Sequence, residues 1–396
     1  MIITQGVYMQ NQKVYLDFAA TTPVDDRVMK AMLPYFREQF GNPSSIHSFG
    51  QQAEAAVEGA RDTVAEGLNC RTSEIVFTAC GSESDNLSIR GAAIAARELR
   101  GANHILISPV EHHAISHTAE QLNHYYGFDL EYIPVDEYGM VNPNDVAMRI
   151  QPDTAVVSVI YANNEVGTIN SISEIGKICR QRNIPLHTDA VQVTAYLAMD
   201  VEALQVDLLS IGAHKFYGPK GVGVLYIRDR TPFLPSQTGG GQETGLRAGT
   251  HNVPYIVGLA AAFKIAQEER EKRISHLLPL RNYLIEETLG MIPDARLTGH
   301  PIKRLPHHAS FVFKNVDGNN LLMLLDIEGF ACSSGSACRT GDPQPSNVLT
   351  AMGISSEWAL GSLRITLGTQ TTLNELESFL RVLPKAVERC RDQTTR

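Results

Sequence analysis

Between residues 74 and 188 the chain alternates short apolar runs of strand length with helical stretches. Strands are expected at 74–78, 104–108, 130–135, 154–161 and 184–188. Helices are expected from the Ala79-to-Asn86 junction to about residue 100, from Glu111-His112-His113-Ala114 onward, and near 143–150 and 173–183. Parallel strands need a crossover, usually a helix, so this alternation implies an α/β fold whose mostly parallel sheet is covered on both faces. In such sheets ligands sit beyond the carboxyl ends of the strands. The residues that follow each run are therefore the candidates for chemistry.

The flanking segments are read more coarsely. A short strand at 14–18 leads to a turn, and Asp25 or Asp26 is placed to cap the next helix. A loop at 41–45 precedes a helix over about 47–68. After Ile227 the chain turns irregular, and 238–250 is glycine-rich with one arginine. That stretch can cradle an anion through backbone N–H groups but lacks the spacing of a P-loop. Long helices follow over about 253–289, which puts a domain boundary near 260–265. The last third holds a strand at 310–313, a helix at 319–328, a long loop through 346 and a strand around Arg364.

Composition excludes several classes. The 396 residues, 43% hydrophobic and 19% charged, suffice for a large core and two domains. A net charge of −9 argues against a broad nucleic-acid or anionic-membrane surface. No apolar run approaches the ~20 residues that span a bilayer. Residues 1–11 lack a basic segment followed by an apolar one, so no signal peptide is expected. Cysteines at 70, 80, 179, 332, 338 and 390 form no CxxC pair and no disulfide framework. A reducing, cytoplasmic compartment is expected.

The run at 206–211 ends in Gly212-Ala213-His214-Lys215, and the glycine-punctuated turn Gly218-Pro219-Lys220-Gly221 follows. A lysine at a strand end is either an ordinary surface residue or a partly desolvated amine. The second is nucleophilic and can form a Schiff base with an aldehyde cofactor such as pyridoxal 5'-phosphate (PLP). Strand alternation places Ser210, Gly212 and His214 on one side. At Cys80-Gly81-Ser82 a strand meets a helix N-terminus, which suits a phosphate, although Ser82 as a plain helix cap explains it equally. Asp189 ends another strand, either as a capping residue or as the partner of a protonated pyridine nitrogen. His112, at a strand-to-helix junction, is placed to lie against a ring. His113 and His117 share a helical face, but without a third ligand no metal is expected. Cys338 lies mid-loop among Ser, Gly and Arg339, an unusual setting for a residue type that is mostly buried, and is a candidate nucleophile. Arg364, in an apolar strand, calls for a carboxylate, from substrate or from the protein.

Taken in order, Tyr15-Leu16-Asp17, Gly41-Asn42-Pro43-Ser44-Ser45, Ser84-Asp85-Asn86, Asn163-Asn164-Glu165, Ala213-His214-Lys215, Arg247-Ala248-Gly249-Thr250 and Ser333-Ser334-Gly335-Ser336-Ala337-Cys338 resemble the NifS/IscS-type cysteine desulfurases. The resemblance runs from Tyr15 to about Gly368. It implies the type I, aspartate-aminotransferase-like fold of PLP enzymes, with a large PLP-binding domain at 20–263 and a smaller α+β domain made of 1–19 and 264–396. It implies that Lys215 carries PLP and moves protons, that Asp189 pairs the pyridine nitrogen, and that His112 stacks on the ring and acts in acid–base steps, so that Cys338, Lys215 and His112 are the catalytic residues. Gln192 and Asn164 would contact the ring's phenolic oxygen or its surroundings. Gly81, Ser82, His214 and the backbone at Gly212 would hold the phosphate, with Thr250 reaching it from the partner subunit of a homodimer. Arg364 and Asn164, with Asn42 nearby, would bind L-cysteine. Cys338 would take its sulfur as a persulfide and hand it to an acceptor protein, such as an iron–sulfur scaffold.

The chain departs from the pattern in places. Many relatives have serine where Gly212 stands, Cys80 is unusual before Gly81, and Arg339-Thr340-Gly341-Asp342 replaces a Thr/Ser-rich stretch. Two other readings share these motifs: a selenocysteine lyase, or an aminotransferase, which would not need Cys338. A third is a non-catalytic sulfur-relay scaffold, although both Lys215 and Cys338 are present. The acceptor can belong to iron–sulfur assembly, tRNA thiolation or DNA phosphorothioation; the negative charge favours a protein intermediary over direct nucleic-acid binding.

Overall fold

The structure, a computed structural model, describes residues 13–335 and 344–394. Twelve strands are present among them: β1 (Val14–Tyr15), β2 (Ile75–Thr78), β3 (His104–Ile107), β4 (Asp129–Tyr132), β5 (Thr154–Ser158), β6 (Leu186–Asp189), β7 (Leu208–Gly212), β8 (Gly223–Ile227), β9 (Ala295–Leu297), β10 (His308–Phe313), β11 (Phe330–Ala331) and β12 (Ser362–Thr366). Seven of these form one sheet in the order β2-β8-β7-β6-β5-β3-β4. Its pairs are parallel except those of β8, which runs against both β2 and β7. β2 therefore points the same way as β3, β5, β6 and β7. The carboxyl ends of all five lie along one edge.

Burial explains why these segments read as continuous apolar runs. Every residue of β2, β3, β5, β6, β7 and β8 is buried, as expected where helices cover both faces. The helix Gly81–Arg100 crosses one face against β5, β7 and β8. The helices Ser48–Leu68 and Val253–Glu268 pack on each other elsewhere, where Gly67 lets the ring of Phe263 approach; a Cβ there would lie 2.4 Å from it. Burying a side chain such as Phe263 or Leu68 stabilises by about 1.5–3 kcal/mol.

The second unit is an antiparallel sheet, β12-β10-β9, with the helices Arg270–Met291, Gly318–Ile327 and Leu373–Thr394. The chain's beginning joins it: β1 pairs in parallel with β11, and the Thr366 N–H donates to the Leu16 carbonyl. The helix Val253–Glu268 runs continuously through residues 263 and 264, and the next helix, Arg270–Met291, starts after Glu269. One apolar cluster runs through both units, from Leu16 and Val28 to Phe311 and Leu376. Among the described residues no helix is long and apolar enough to cross a membrane.

Candidate active site

A cavity of about 230 Å3 opens at the carboxyl edge of the large sheet. It gathers residues from five strand ends and from the second unit. Gly81 and Ser82 follow β2, His112 follows β3, and Asn164 follows β5. Asp189 and Gln192 come from the end of β6, His214 and Lys215 from the end of β7, and Arg364 from β12.

Lys215 ends a single 3-10 turn, Ala213–Lys215, that breaks β7 away from the sheet. Its Nζ donates to the carbonyls of Ala19 (2.6 Å) and Ala20 (2.7 Å). Burial and then the charge of Arg364 lower the amine to about 8, against the opposing pull of Asp189 and Asp17. Asp189 is buried, and its Oδ1 accepts from the Val191 N–H at 2.8 Å. Burial raises this carboxyl, while the charge of His112, the Val191 N–H and Lys215 act to lower it. Asp189 thus caps a local turn and also lines the cavity.

Ser82 does not cap its helix. The cap of Gly81–Arg100 is Cys80, whose Sγ accepts from the Glu83 N–H at 3.4 Å. Gly81 and Ser82 occupy the first two helical positions, where the N–H groups have no acceptor within the helix. Gly212 lies directly behind them. A Cβ on Gly212 would sit 3.4 Å from the Gly81 nitrogen, and one on Gly81 would sit 2.7 Å from Val191 Cγ2. The contact at 212 is an ordinary one, so the strand and helix end are close enough there to touch a side chain without being forced apart, whereas Gly81 has no room for one.

The imidazole of His112 caps its own helix, its Nδ1 accepting from the Ala114 N–H at 3.1 Å, so Nε2 carries the proton in the neutral ring. His214, lowered to about 4 chiefly by burial, is neutral, with Nδ1 3.2 Å from Thr21 Oγ1. Gln192 Nε2 donates to the same Ala19 carbonyl that Lys215 uses. Arg364 Nη2 donates to Asp17 Oδ1 at 2.8 Å and Nη1 to the Asn164 carbonyl at 3.0 Å.

Among the described residues, two that were expected at the site, Asn42 and Thr250, are not brought into this cavity. Asn42 is exposed and turns its Oδ1 back onto the Ser44 N–H. Thr250 is exposed on the glycine-rich stretch, whose Arg247 is paired with Glu83 at 2.8 Å. Cys338 lies outside the described residues, as does Arg339. His113 and His117 stack their rings at 4.7 Å. Sequence reasoning missed Asp17 as the partner of Arg364, and it missed the buried Asp85 and Glu111. A strand-end acid in an apolar run is the signal that points to Asp17.

The model of the family described as Aminotransferase class-V matches residues 14–379. The cysteine desulfurase IscS of Dictyoglomus turgidum (strain DSM 6724 / Z-1310) is 45% identical over 383 residues, which cover 96% of each chain. The chain belongs to the cysteine desulfurases of the class-V aminotransferase family. A solved NifS-like protein superposes with a TM-score of 0.89 at 38% identity, covering 96% of this chain and 100% of its own. A structure of SspA in complex with cysteine superposes with a TM-score of 0.77 at 34% identity, covering 90% and 99%.

Enzymes of this desulfurase family depend on PLP, and the residues present fit that group. The facing glycines at 81 and 212 leave a side-chain-free cradle at a helix N-terminus, which suits a phosphate. The buried carboxyl of Asp189 suits a protonated ring nitrogen, and Lys215 is an amine displaced towards its neutral form.

Proposed function

We propose that this protein converts L-cysteine to L-alanine and passes the sulfur through a persulfide on Cys338. The observation that carries the reading is the joining of Lys215, Asp189 and Arg364 in one cavity at the carboxyl edge of the sheet. The family relation and the likeness to a cysteine-bound neighbour support the same substrate.

Each residue has a task. PLP, when bound, supplies the electron sink for the charge left when a Cα proton departs. Gly81, Ser82, His214 and the Gly212 backbone hold its phosphate, and Asp189 holds its ring nitrogen. His112 covers the ring, and Gln192 with Asn164 lies by its phenolic oxygen. Lys215 anchors the aldehyde and moves the proton at Nζ. Arg364 binds the substrate carboxylate: Asp17 and the Asn164 carbonyl fix the guanidinium, and each terminal nitrogen keeps a second N–H for that purpose. The Cys338 thiolate attacks the substrate sulfur. The new S–S bond forms as the Cβ–Sγ bond breaks, its electron pair stays with the carbon skeleton, and protonation there leaves alanine.

The same reading extends to the assembly. The protein acts as a homodimer in the cytoplasm, with Thr250 reaching the partner's phosphate site. It delivers sulfur to an acceptor protein such as an iron–sulfur scaffold. The chain divides into a large unit and a smaller one built from its two ends, with the break at Glu269 supported by the helix geometry.

Alanine and sulfide are to be measured from L-cysteine with added PLP and a thiol reductant, wild type beside Cys338→Ala. The expected result is turnover by the wild type and none by the variant, which still binds PLP. Undiminished activity in the variant would remove Cys338 from the mechanism and favour the selenocysteine lyase reading, in which alanine forms without a persulfide on Cys338.

A further inference from the structure

Three carboxyls are buried in or beside the active site. Asp85 is 1% exposed, and Asp189 and Glu111 are each 5% exposed. Asp85 and Asp189 line the same cavity. Three such groups cannot all be charged away from water, so protons must be distributed among them. We propose that Asp85 is a positioning residue for the cofactor site: a buried acid that keeps a proton behind Asp189, so that Asp189 is the carboxylate that meets the ring nitrogen. This rests on the PLP-dependent reading above.

The surroundings decide which acid is ionised. Asp189 accepts from the Val191 N–H and faces His112 and Lys215, both of which act to lower it. Asp85 has no cation of its own. From the neighbouring strands it meets the Ser210 hydroxyl and, at 3.7 Å, Nε2 of His187; Asp189, Glu111 and Cys80 add negative or neutral groups. His187 cannot take a proton from it. Burial lowers that imidazole to about 3, and its Nδ1 and Nε2 are engaged by Ser158 Oγ (2.9 Å) and Ser210 Oγ (3.0 Å). Glu111 has one backbone donor, Ile160 N–H, and like Asp85 it is raised well above the carboxylate range by burial and by the charge of Asp189.

One hydrogen bond opposes this assignment, since the Ser210 hydroxyl acts to lower Asp85, but burial and the charge of Asp189 outweigh it. A neutral imidazole has one donor and one acceptor. With the Ser210 hydroxyl directed at Asp85, His187 donates from Nε2 and accepts at Nδ1 from Ser158. The chain Ser158–His187–Ser210–Asp85 is then satisfied link by link. It ends on the Asp85 carboxyl, whose Oδ1, 3.7 Å from His187 Nε2, has no hydrogen-bond partner among the described residues. A buried carboxylate oxygen without a partner is costly, and a protonated Asp85 lowers that cost and offers an O–H donor to the cavity that the residue shares with Asp189. A donor there stabilises the Asp189 anion. Removing it leaves Asp189 as the group that takes up the proton, and the bond to the ring nitrogen weakens.

The test compares wild-type protein with Asp85→Asn, which keeps a donor of the same shape, and with Asp85→Leu, which does not. PLP dissociation constants and the pH dependence of the bound-PLP absorbance are measured. Asp85→Asn is expected within about threefold of wild type, and Asp85→Leu at least about tenfold weaker with a displaced spectral transition, tenfold being 1.4 kcal/mol. Wild-type behaviour of Asp85→Leu, or an equal loss in both variants, overturns the proposal. If Asp85→Leu does not fold, infrared difference spectra decide. Wild type minus Asp85→Asn at pH 8 is expected to show a protonated-carboxyl stretch, and a carboxylate band there overturns the assignment. Failure of the wild type to bind PLP would instead strike the cofactor reading, and the infrared result would still stand for Asp85.

Discussion

Lys215 shows how much a folded chain spends on one amine. At pH 7.5 a lysine held near 8 is about one-quarter neutral, whereas one at the ordinary 10.5 is neutral in about one molecule in a thousand. The shift also has a sign for stability. The folded value lies below the unfolded one, so the fold is disfavoured at pH below about 8, and the penalty fades between about 8 and 10.5. A shift of this size corresponds to about 3 kcal/mol, reduced by the two carbonyl bonds that the amine makes. Lys215→Met is therefore expected to abolish turnover, yet to stabilise the PLP-free protein by about 1–2 kcal/mol at pH 7. Urea midpoints at pH 7 and pH 10 check this, and a variant less stable than wild type at pH 7 would contradict it. Lys215, Asp189 and Arg364 were legible in the sequence because each sits at a strand end or in an apolar run, where its charge is out of place. Asp17 and Asp85 were not read for their roles. Asp17 meets Arg364 from 347 residues away, and Asp85 looks like an ordinary helix residue until Asp189 is found in the same cavity.

At the level of elements, the α/β alternation and the strand order's chemical edge followed from pattern alone, and the errors sit at ends. The strand expected over 154–161 is cut short after Ser158 on its β3 side, where the Ile160 N–H turns to the Glu111 carboxyl, although the Val159 and Tyr161 N–H groups still donate to the His187 and Asp189 carbonyls of β6. Such a side-chain partner from another strand is invisible to periodicity. The segment that carries Cys338 is tied at both of its described ends. Ser333 and Arg364 exchange backbone bonds of 3.2 and 2.7 Å, and Ser346 Oγ, the cap of the helix Asn347–Ala351, donates to Glu165 Oε2. A Cβ on Gly335 would lie 2.2 Å from that same oxygen, so Glu165 touches both ends. Burial raises Glu165 to about 7, against the Ser346 bond and the Arg364 charge. Its folded value exceeds the unfolded 4.5, so its contribution to stability is complete below pH 4.5 and lost as pH rises through 7. Glu165→Gln keeps an acceptor for Ser346 and removes the titration. Relative to this variant, the wild type is expected to lose about 3 kcal/mol between pH 4.5 and 8. Parallel stability profiles for the two proteins would refute that.

The whole molecule poses a question that one chain does not answer. Thr250 belongs to the motif set of the family, yet it is exposed and stands outside the cavity of its own chain. Near the loop that starts at Gly41 the surface is unusually apolar: Leu33, Phe36, Phe40, Ile46 and Phe49 are each about half or more exposed. Such a cluster is unfavourable against water and suits a second protein surface. Both facts agree with a dimer in which each subunit completes the other's phosphate site, and sequence could name Thr250 only by likeness because periodicity carries no information across subunits. Paired variants separate the two arrangements. Lys215→Ala and Thr250→Ala chains carrying different tags are co-expressed, and the mixed dimer is isolated by both tags. If Thr250 serves its partner, the site with an intact Lys215 receives an intact Thr250 from the Lys215→Ala chain, and the other site carries both lesions. The mixed dimer should then show about half the wild-type rate per dimer at a PLP concentration near the wild-type dissociation constant, where Thr250→Ala alone is mostly unloaded. If Thr250 serves its own chain, the site with Lys215 keeps the Thr250 lesion. The mixed dimer would then show no more than half the rate of the Thr250→Ala homodimer, and the shared site would be refuted.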